Sequence, residues 1–571
     1  MGSFVEPLSG ETAASMLHAE GIAAWRRGKN GRARALMAEA LGVRADFVPA
    51  LTALGAIEQS LGESAAAVAA LRRAQALAPS ERVHSTNLAI ALTEAGQGGE
   101  AVDCLRNAIR LHGSDADLLT RLGQALVQRG ETSEGIRHLR AAVIAMPCAE
   151  AWFLLGHALQ LHDSLPDAVA AYLEALALEP QHARALQNLG RAYSDSGDLN
   201  AAEDALHRAA TISPATADIF ANLAVIRRRR GDLDGALRLY QRAMEIEPGN
   251  ARVRYNMGLT LLLRGDLSAG WLAQEARRDI PSFPMALRDA AQPVWDGRAL
   301  GGRRLLVHAE QGLGDTLQFI RYLPLIGLLG LTAGSRVTLA VQPELVSLLT
   351  PMAGVHHVVA LGSHAAPFDV HVPLLSLPYL VGTTAERIPA AVPYILPSAL
   401  DAADWRGRLQ AGGVKIGFVW AGNPGHGNDR RRSLSAGFAR SLAADILALD
   451  QKIHLFGFQL GHRAGDLDDL REAGRYRSLA PELTSFGQTA AAIAGMDLVI
   501  GVDTSVVHLA GAMAARTLVL LGSAPDWRWR TEGSETPWYP TLDLCRAEPL
   551  ADAAGAGGAA LAWLRSWLAG R

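Results

Sequence analysis

A 34-residue period runs through the first half of the chain and constrains its fold more than any other feature. Gly28, Gly62, Gly96 and Gly130 are 34 residues apart; the phase then slips by one through Asp163 and resumes at Gly197, Gly231 and Gly265. Pro79, Pro147, Pro180, Pro214 and Pro248 keep step. Between these marks apolar residues fall at helical spacing, as in NLAVIRRRRGDLDGALRLYQRAMEIEP (222–248). Glycine suits the turn between two helices, and proline marks where the second helix must stop. The unit is therefore helix–turn–helix, with about seven copies and a partial eighth over residues 13–280. Stacked units of this kind make a solenoid with an extended concave face.

That pattern resembles the tetratricopeptide repeat. From RRLLVHAEQGLGD (303–315) the period changes: the short apolar runs RVTLAV, HHVVAL, VKIGFVWAG, KIHLFGF, MDLVIGVD and RTLVLLG alternate with helical stretches. Alternating β and α elements predict parallel sheets covered by helices. Two such blocks, 303–397 and 413–545, flank the joint LPSALDAADWRGRL, each the size of a small Rossmann-like unit. Residues 281–302 form a connector, and a helix within 551–570 is expected to pack back across both blocks. The predicted class is α plus α/β, a repeat superhelix followed by two Rossmann-like domains facing a cleft.

A chain of 571 residues needs several cores. Its formal charge of −3 exerts no global pull toward nucleic acid or anionic membrane. Cys104, Cys148 and Cys545 lie far apart with no CxxC, against a disulfide framework or a zinc site. MGSFVEPLSGETAASM lacks a basic region followed by an apolar run, and the most apolar window, 322–334, is broken by Pro324 and glycines. The expectation is a cytoplasmic protein with neither membrane insertion nor a nucleic-acid partner.

Three segments of the α/β half could carry chemistry. In HAEQGLGDTLQFIRYLP (308–324), Gly312 and Gly314 allow a tight turn or close approach of a ligand. Asp315 there either faces the cleft or caps its helix. In WAGNPGHGNDRRRSLS (420–435), Trp420, Asn423, His426, Arg431 and Arg432 precede a helix expected to open at Ser433. Arginine forks suit phosphate oxygens, and a loop at a strand's carboxyl end suits a ligand. In DLVIGVDTSVVHLAGAM, Asp503, Thr504 and Ser505 sit where strand gives way to helix, with His508 a turn further on. Amides at a helix start suit an anion. Asp503 then orders the turn or meets a ribose hydroxyl, and His508 reaches the anion or is a satisfied core histidine. Trp527, Trp529, Trp538 and Tyr539 either stack on a ligand or seal the sheet's carboxyl end and anchor the final helix; the structural role is favoured. The acidic pair Asp466 and Asp468 reads as a solvated helical face rather than a metal motif.

EQGLGDTLQFIRYLP, WAGNPGHGNDRRRS, DLVIGVDTSVVHLAGAM and PDWRWRTEGSETPWYP, in this order behind the repeats, resemble the heptosyltransferase-like (family 9) branch of GT-B glycosyltransferases. More narrowly, they are similar to its repeat-fused bacterial members, including flagellin glycosyltransferases. The resemblance implies a catalytic base at Asp315, phosphate contacts from Asp503, Thr504 and His508, and a basic contact from Arg431 or Arg432. It further implies a nucleotide-sugar substrate, displacement with inversion, and no metal or other cofactor. Gly522, where relatives often carry proline, and the extra arginine in GHGNDRRRS depart from the pattern and bear on which sugar is used.

Asn188, Asn222 and Asn256 recur at 34-residue steps, and Asn87 shares their phase, while Ala53, Arg121 and Leu154 break the series. A primary amide both donates to a backbone carbonyl and accepts from a backbone N–H, so such a ladder would grip an extended peptide. The combined expectation is a protein O-glycosyltransferase acting on Ser or Thr of a polypeptide held by the repeats, flagellin being the best single candidate. The alternatives are a transferase acting on lipopolysaccharide or another glycan, and a repeat scaffold whose transferase half is inactive.

Overall fold

The computed structural model describes residues 10–327, 334–363, 367–410, 412–425, 427–547 and 553–571. The chain divides into two compact units, Met1–Asn222 and Leu223–Arg571. The first holds paired antiparallel helices, from Gly10–Arg26 with Asn30–Val43 to Ala183–Ser196 with Leu199–Ile212. Helix Ala217–Arg229 crosses the boundary between units. The second unit continues the repeats with Leu233–Ile246, Ala251–Arg264 and Leu267–Gln274, the last running into a 3₁₀ turn, Glu275–Asp279.

The periodic glycines do what the spacing predicts. Gly28 through Gly265 all have φ between 72° and 100°, and Asp163, which takes the place of glycine at the phase slip, has φ 64°. Added Cβ atoms at Gly28 or Gly197 would meet nothing within 4 Å, so backbone conformation selects glycine there. Gly190 is glycine for another reason: its Cβ would lie 2.6 Å from Leu206, on the helix packed against it. Side-chain caps start several helices, as Asp198 does for Ala201 N at 3.0 Å and Asp232 for Gly235 N at 2.8 Å.

Two parallel sheets follow within the second unit. The first contains β1 (Arg304–His308), β2 (Arg336–Val341), β3 (His357–Ala360) and β4 (Val370–Pro373) in the order β3-β2-β1-β4. The second contains β5 (Val414–Val419), β6 (Ile453–Gly457), β7 (Tyr476–Ser478), β8 (Leu498–Val502), β9 (Thr517–Leu521) and β10 (Leu542–Arg546). Its order is β10-β9-β8-β5-β6-β7, with Ile416 of β5 registered between Leu455 of β6 and Leu498 of β8. Every residue of β8 and β9 is buried, as expected of parallel strands covered on both faces. Strand order reverses between β1 and β4 and between β5 and β8, and crevices for ligands form at such points.

The first sheet shares one continuous apolar core with Leu262, Leu263, Leu267 and Trp271 of the last repeat. The connector is more than a tether, because Val294 bridges His371 and Trp295 N donates to His371 O at 2.7 Å, extending the edge at β4. Two expectations need correction. The C-terminal helix, Gly557–Ala569, packs on the second sheet alone, where Leu564 and Ala560 join the core of helix Ala436–Leu449, and Arg571 pairs with Asp497. Asp466 is no solvated face: its side chain, 17% exposed, takes Arg463 at 2.6 Å and the Trp420 indole N–H at 3.0 Å. The apolar window 322–334 lies partly outside the described residues. No helix among the described residues is long and apolar enough to cross a membrane.

Candidate active site

A cavity of about 980 Å³ opens between the carboxyl ends of β1 on one side and β5 and β8 on the other. The loop after β1 enters it through a short helix, Leu313–Phe319, for which Gly312 is the N-cap. Asp315, third in that helix, accepts from Gly312 N at 3.0 Å and pairs with Arg528 through its other oxygen. It therefore caps the helix and lines the cavity at once. Gly314 has a packing reason for being glycine, since a Cβ there would lie 2.8 Å from Cδ2 of His508 across the crevice. The helix carrying Asp315 is in this way seated against helix Ser505–Ala512, which carries His508.

The loop after β5 is braced by its own side chains. Gln459 accepts from the amides of Trp420 (3.2 Å) and Ala421 (2.8 Å), while Ser433 accepts from Gly422 N (2.9 Å) and donates to Asp429 (2.8 Å). Ser433 thus folds the loop and does not open a helix: the following helix, Ala436–Leu449, is capped by Ser435. Arg432, 18% exposed, is held by Asp429 at 3.3 Å and by Asp503 O at 3.1 Å, and it lines the cavity beside Asn423. Arg431 instead lines an adjacent cavity. Trp420 does not reach the cavity either, because its indole is fully buried against Phe418 in the core of the second sheet. His426 lies outside the described residues.

After β8, Thr504 is the N-cap of helix Ser505–Ala512, and its buried hydroxyl has no hydrogen-bond partner among the described residues. Both Thr504 and Ser505 line the cavity. Asp503 sits 3.5 Å from His508 Nε2. Burial opposes its ionised form, but His508, the Trp529 indole and Arg528 outweigh burial and hold the carboxyl below its usual range. His508 is a buried residue with a fixed ring: Nδ1 meets the Tyr539 hydroxyl at 3.0 Å and the Trp529 ring stacks on it at 5.4 Å. One edge still lines the cavity.

The aromatic segment is structural. Trp529, Trp538 and Tyr539 are buried and Trp527 nearly so; Trp271 of the last repeat packs edge-on to Trp527 (5.1 Å) and Trp538 (6.2 Å). Of the four, Trp527 borders the cavity. They join the last repeat to the crevice, not the final helix to its sheet. Arg528, which sequence reasoning passed over, is the electrostatic centre of this segment. Burial disfavours its charge, yet Asp526, Asp315 and Asp503 more than compensate and strengthen its hold on the proton.

The sequence also gave no hint that the last repeat walls the cavity. Tyr255 and Leu259 of helix Ala251–Arg264, with Gln274, contribute to the lining. A buried ion pair fixes the repeat end to the loop after β1: Arg277 reaches both oxygens of Glu310 (3.0 and 2.8 Å), and neither side chain is exposed. In the first unit, Asn188 lines a separate cavity of about 560 Å³ with Gln124, Gln128, His157 and Gln187. Asn87, Asn222 and Asn256 are half-buried on their helices.

Comparison with known proteins adds the following. Residues 441–551 match the family model described as glycosyltransferase family 9 (heptosyltransferase), and tetratricopeptide repeat models match 18–82, 86–147, 120–183, 171–204 and 226–265. Protein FlbA of Caulobacter vibrioides is 28% identical over 306 residues, which is 48% of each chain. The chain thus matches about half the length of this curated relative. Among solved structures, a tetratricopeptide repeat protein from Parabacteroides merdae covers 44% of this chain and 99% of its own (14% identity, TM-score 0.39). MamA from Desulfovibrio magneticus covers 30% and 96% (22% identity, TM-score 0.28). The chain thus carries tetratricopeptide repeat matches within residues 18–265, followed by a glycosyltransferase family 9 match over residues 441–551.

Proposed function

We propose that the protein transfers a sugar from a nucleotide-sugar to a serine or threonine hydroxyl of a polypeptide brought by its repeats. The observation that carries this reading is one cavity lined by Asp315, by Arg432, Thr504 and Ser505, and by Tyr255 and Leu259 of the last repeat. A carboxylate, an anion-binding helix start and the repeat helix therefore border a common space. In the proposed reaction the acceptor oxygen attacks the anomeric carbon while Asp315 takes its proton. The bond to the departing phosphate breaks with inversion, and its electron pair leaves with the nucleotide. Arg432, the Thr504 hydroxyl and the amides of the helix start would receive the charge that grows there, with no metal required. Asp503, already engaged by His508, orders the turn in this reading, while Asn423 and His508 border the donor. Asn87, Asn188, Asn222 and Asn256 would hold the acceptor, and flagellin remains the first polypeptide to try.

The test is intact-mass analysis of candidate polypeptides incubated with mixed nucleotide-sugars, in buffer and with EDTA. A mass gain equal to one sugar, unaffected by EDTA, is expected. Asp315→Asn should cut the rate by about 10²–10⁴-fold while leaving the thermal shift with nucleotides intact. Full activity in that variant removes Asp315 as the base. Transfer to a glycan but to no polypeptide would favour the lipopolysaccharide alternative, and nucleotide binding without any transfer would favour an inactive scaffold.

A further inference from the structure

The reaction cavity continues into a second one of about 680 Å³, with which it shares Leu259, Asn428, Asp526 and Trp527. The second cavity is bounded by the repeat turn Arg228–Gly231, by Arg431 after β5, by the loop after β9 and by Arg546 at the end of β10. Five arginines line it against two carboxylates, Asp526 and Glu532. Asp526 is already matched by Arg528 at 2.7 Å. Arg546 donates to the backbone carbonyls of Gly533 (2.7 Å), Arg530 (3.0 Å) and Glu532 (3.1 Å), with the Glu532 charge beside it. Arginines thus outnumber carboxylates in the lining, and guanidinium groups pair best with planar carboxylates or phosphates.

We infer that this cavity receives an acidic side chain of the acceptor polypeptide, a few residues from the hydroxyl presented to Asp315. The inference rests on the protein-acceptor reading above. Donor phosphates have their own place at Arg432 and Thr504 in the first cavity, whereas Arg228 and Arg230 belong to the repeats. An extended chain advances about 3.3 Å per residue, so a segment entering past Leu259 and Trp527 can occupy both cavities. Sequence preference would then come from charge next to the modified residue, and the asparagines further along the repeats would add side-chain-independent grip.

Fluorescence anisotropy on the full chain tests this. Two labelled ten-residue peptides each carry one threonine among glycines and alanines, one with two flanking aspartates and the other with asparagines there. The aspartate peptide should bind at least about tenfold tighter at low salt, with the gap closing in 0.5 M NaCl as charges are screened. Arg228→Ser with Arg230→Ser should bring the gap below about threefold while the thermal shift with nucleotides is unchanged. Equal binding of the two peptides, no measurable binding of the aspartate peptide, or a gap that survives the double variant overturns the inference. Displacement of that peptide by inorganic phosphate or a nucleoside diphosphate also overturns it, and gives the cavity to the donor. Such failure with sugar transfer intact leaves the proposed function standing; absence of transfer to any polypeptide removes the reading beneath it.

Discussion

Arg277→Met is the substitution that most directly tests how the last repeat holds the crevice together. In the native chain Arg277 donates to Glu310 twice, to Gln274 O (3.1 Å), to Glu275 (2.7 Å) and to Ser376 Oγ (2.9 Å). Removing it leaves Glu310 fully buried with the Leu375 amide, at 3.1 Å, as its remaining bond. An uncompensated buried charge costs about 3–5 kcal/mol. Glu275 suffers less, because it is 17% exposed and keeps Ser376 at 3.0 Å. Glu310→Gln should accordingly cost less than Arg277→Met, since Arg277 retains Glu275 and its carbonyl and hydroxyl partners. The double variant should recover about 2 kcal/mol or more relative to the sum of the singles. Urea unfolding followed by tryptophan fluorescence reports on the sheet-containing unit, where Trp271, Trp527 and Trp538 meet. Lowering the pH should shrink the loss in Arg277→Met, because a proton discharges a stranded buried carboxylate. Additive single variants, or a loss under 1 kcal/mol for Arg277→Met, would refute the claim that this pair locks repeat to loop.

Two further outcomes follow from groups beside the site. Burial, with help from the neighbouring charge of His371, lowers the His308 pKa to about 4, so the folded protein keeps this ring neutral where the unfolded chain protonates it near 6.5. Stability should hold above that pH and fall by about 3 kcal/mol as pH drops from 6.5 to 4; His308→Leu should remove most of that slope in denaturation measured across the range. The Thr504 hydroxyl bonds nothing among the described residues, so Thr504→Val should leave stability within about 0.5 kcal/mol while weakening nucleoside diphosphate binding five- to tenfold by calorimetry. Unchanged affinity would take that hydroxyl out of the phosphate site.

What the sequence made legible is what repeats or alternates locally. The glycine period found every repeat turn, and the slip at Asp163 appears as a left-handed non-glycine residue at the same place. Seven strands were readable as apolar runs. Strands β4, β7 and β10 were not, because VHVP, YRS and LDLCR are short or polar and owe their pairing to neighbours. Within the site, Asp315, Arg432, Thr504 and Ser505 line the cavity, each in a segment that follows a strand end, a position that sequence can mark. Trp420, Arg431 and Ser433 shared that neighbourhood and went elsewhere, since side-chain direction within a loop depends on braces such as Gln459 and Asp429 that lie in other segments. Tyr255 and Leu259 carried no signal at all: an apolar residue on a repeat helix looks the same whether it faces another helix or a cavity.

That ambiguity bears on how the two halves work together. On helix Ala251–Arg264, Tyr255 and Leu259 stand one turn apart and line the reaction cavity, while Leu262 and Leu263 enter the core shared with the first sheet. Arg277, one short helix further on, then ties the end of the repeats to the residue preceding Gln311 and Gly312. The last repeat is therefore part of the cavity wall and part of what supports it. A recruiting arm joined by a free linker could be exchanged without consequence for chemistry. In the proposed reaction, an acceptor recognised by the last repeat would be recognised by the same helix that shapes the space around Asp315, so selection of the polypeptide and placement of its hydroxyl would be one structural event.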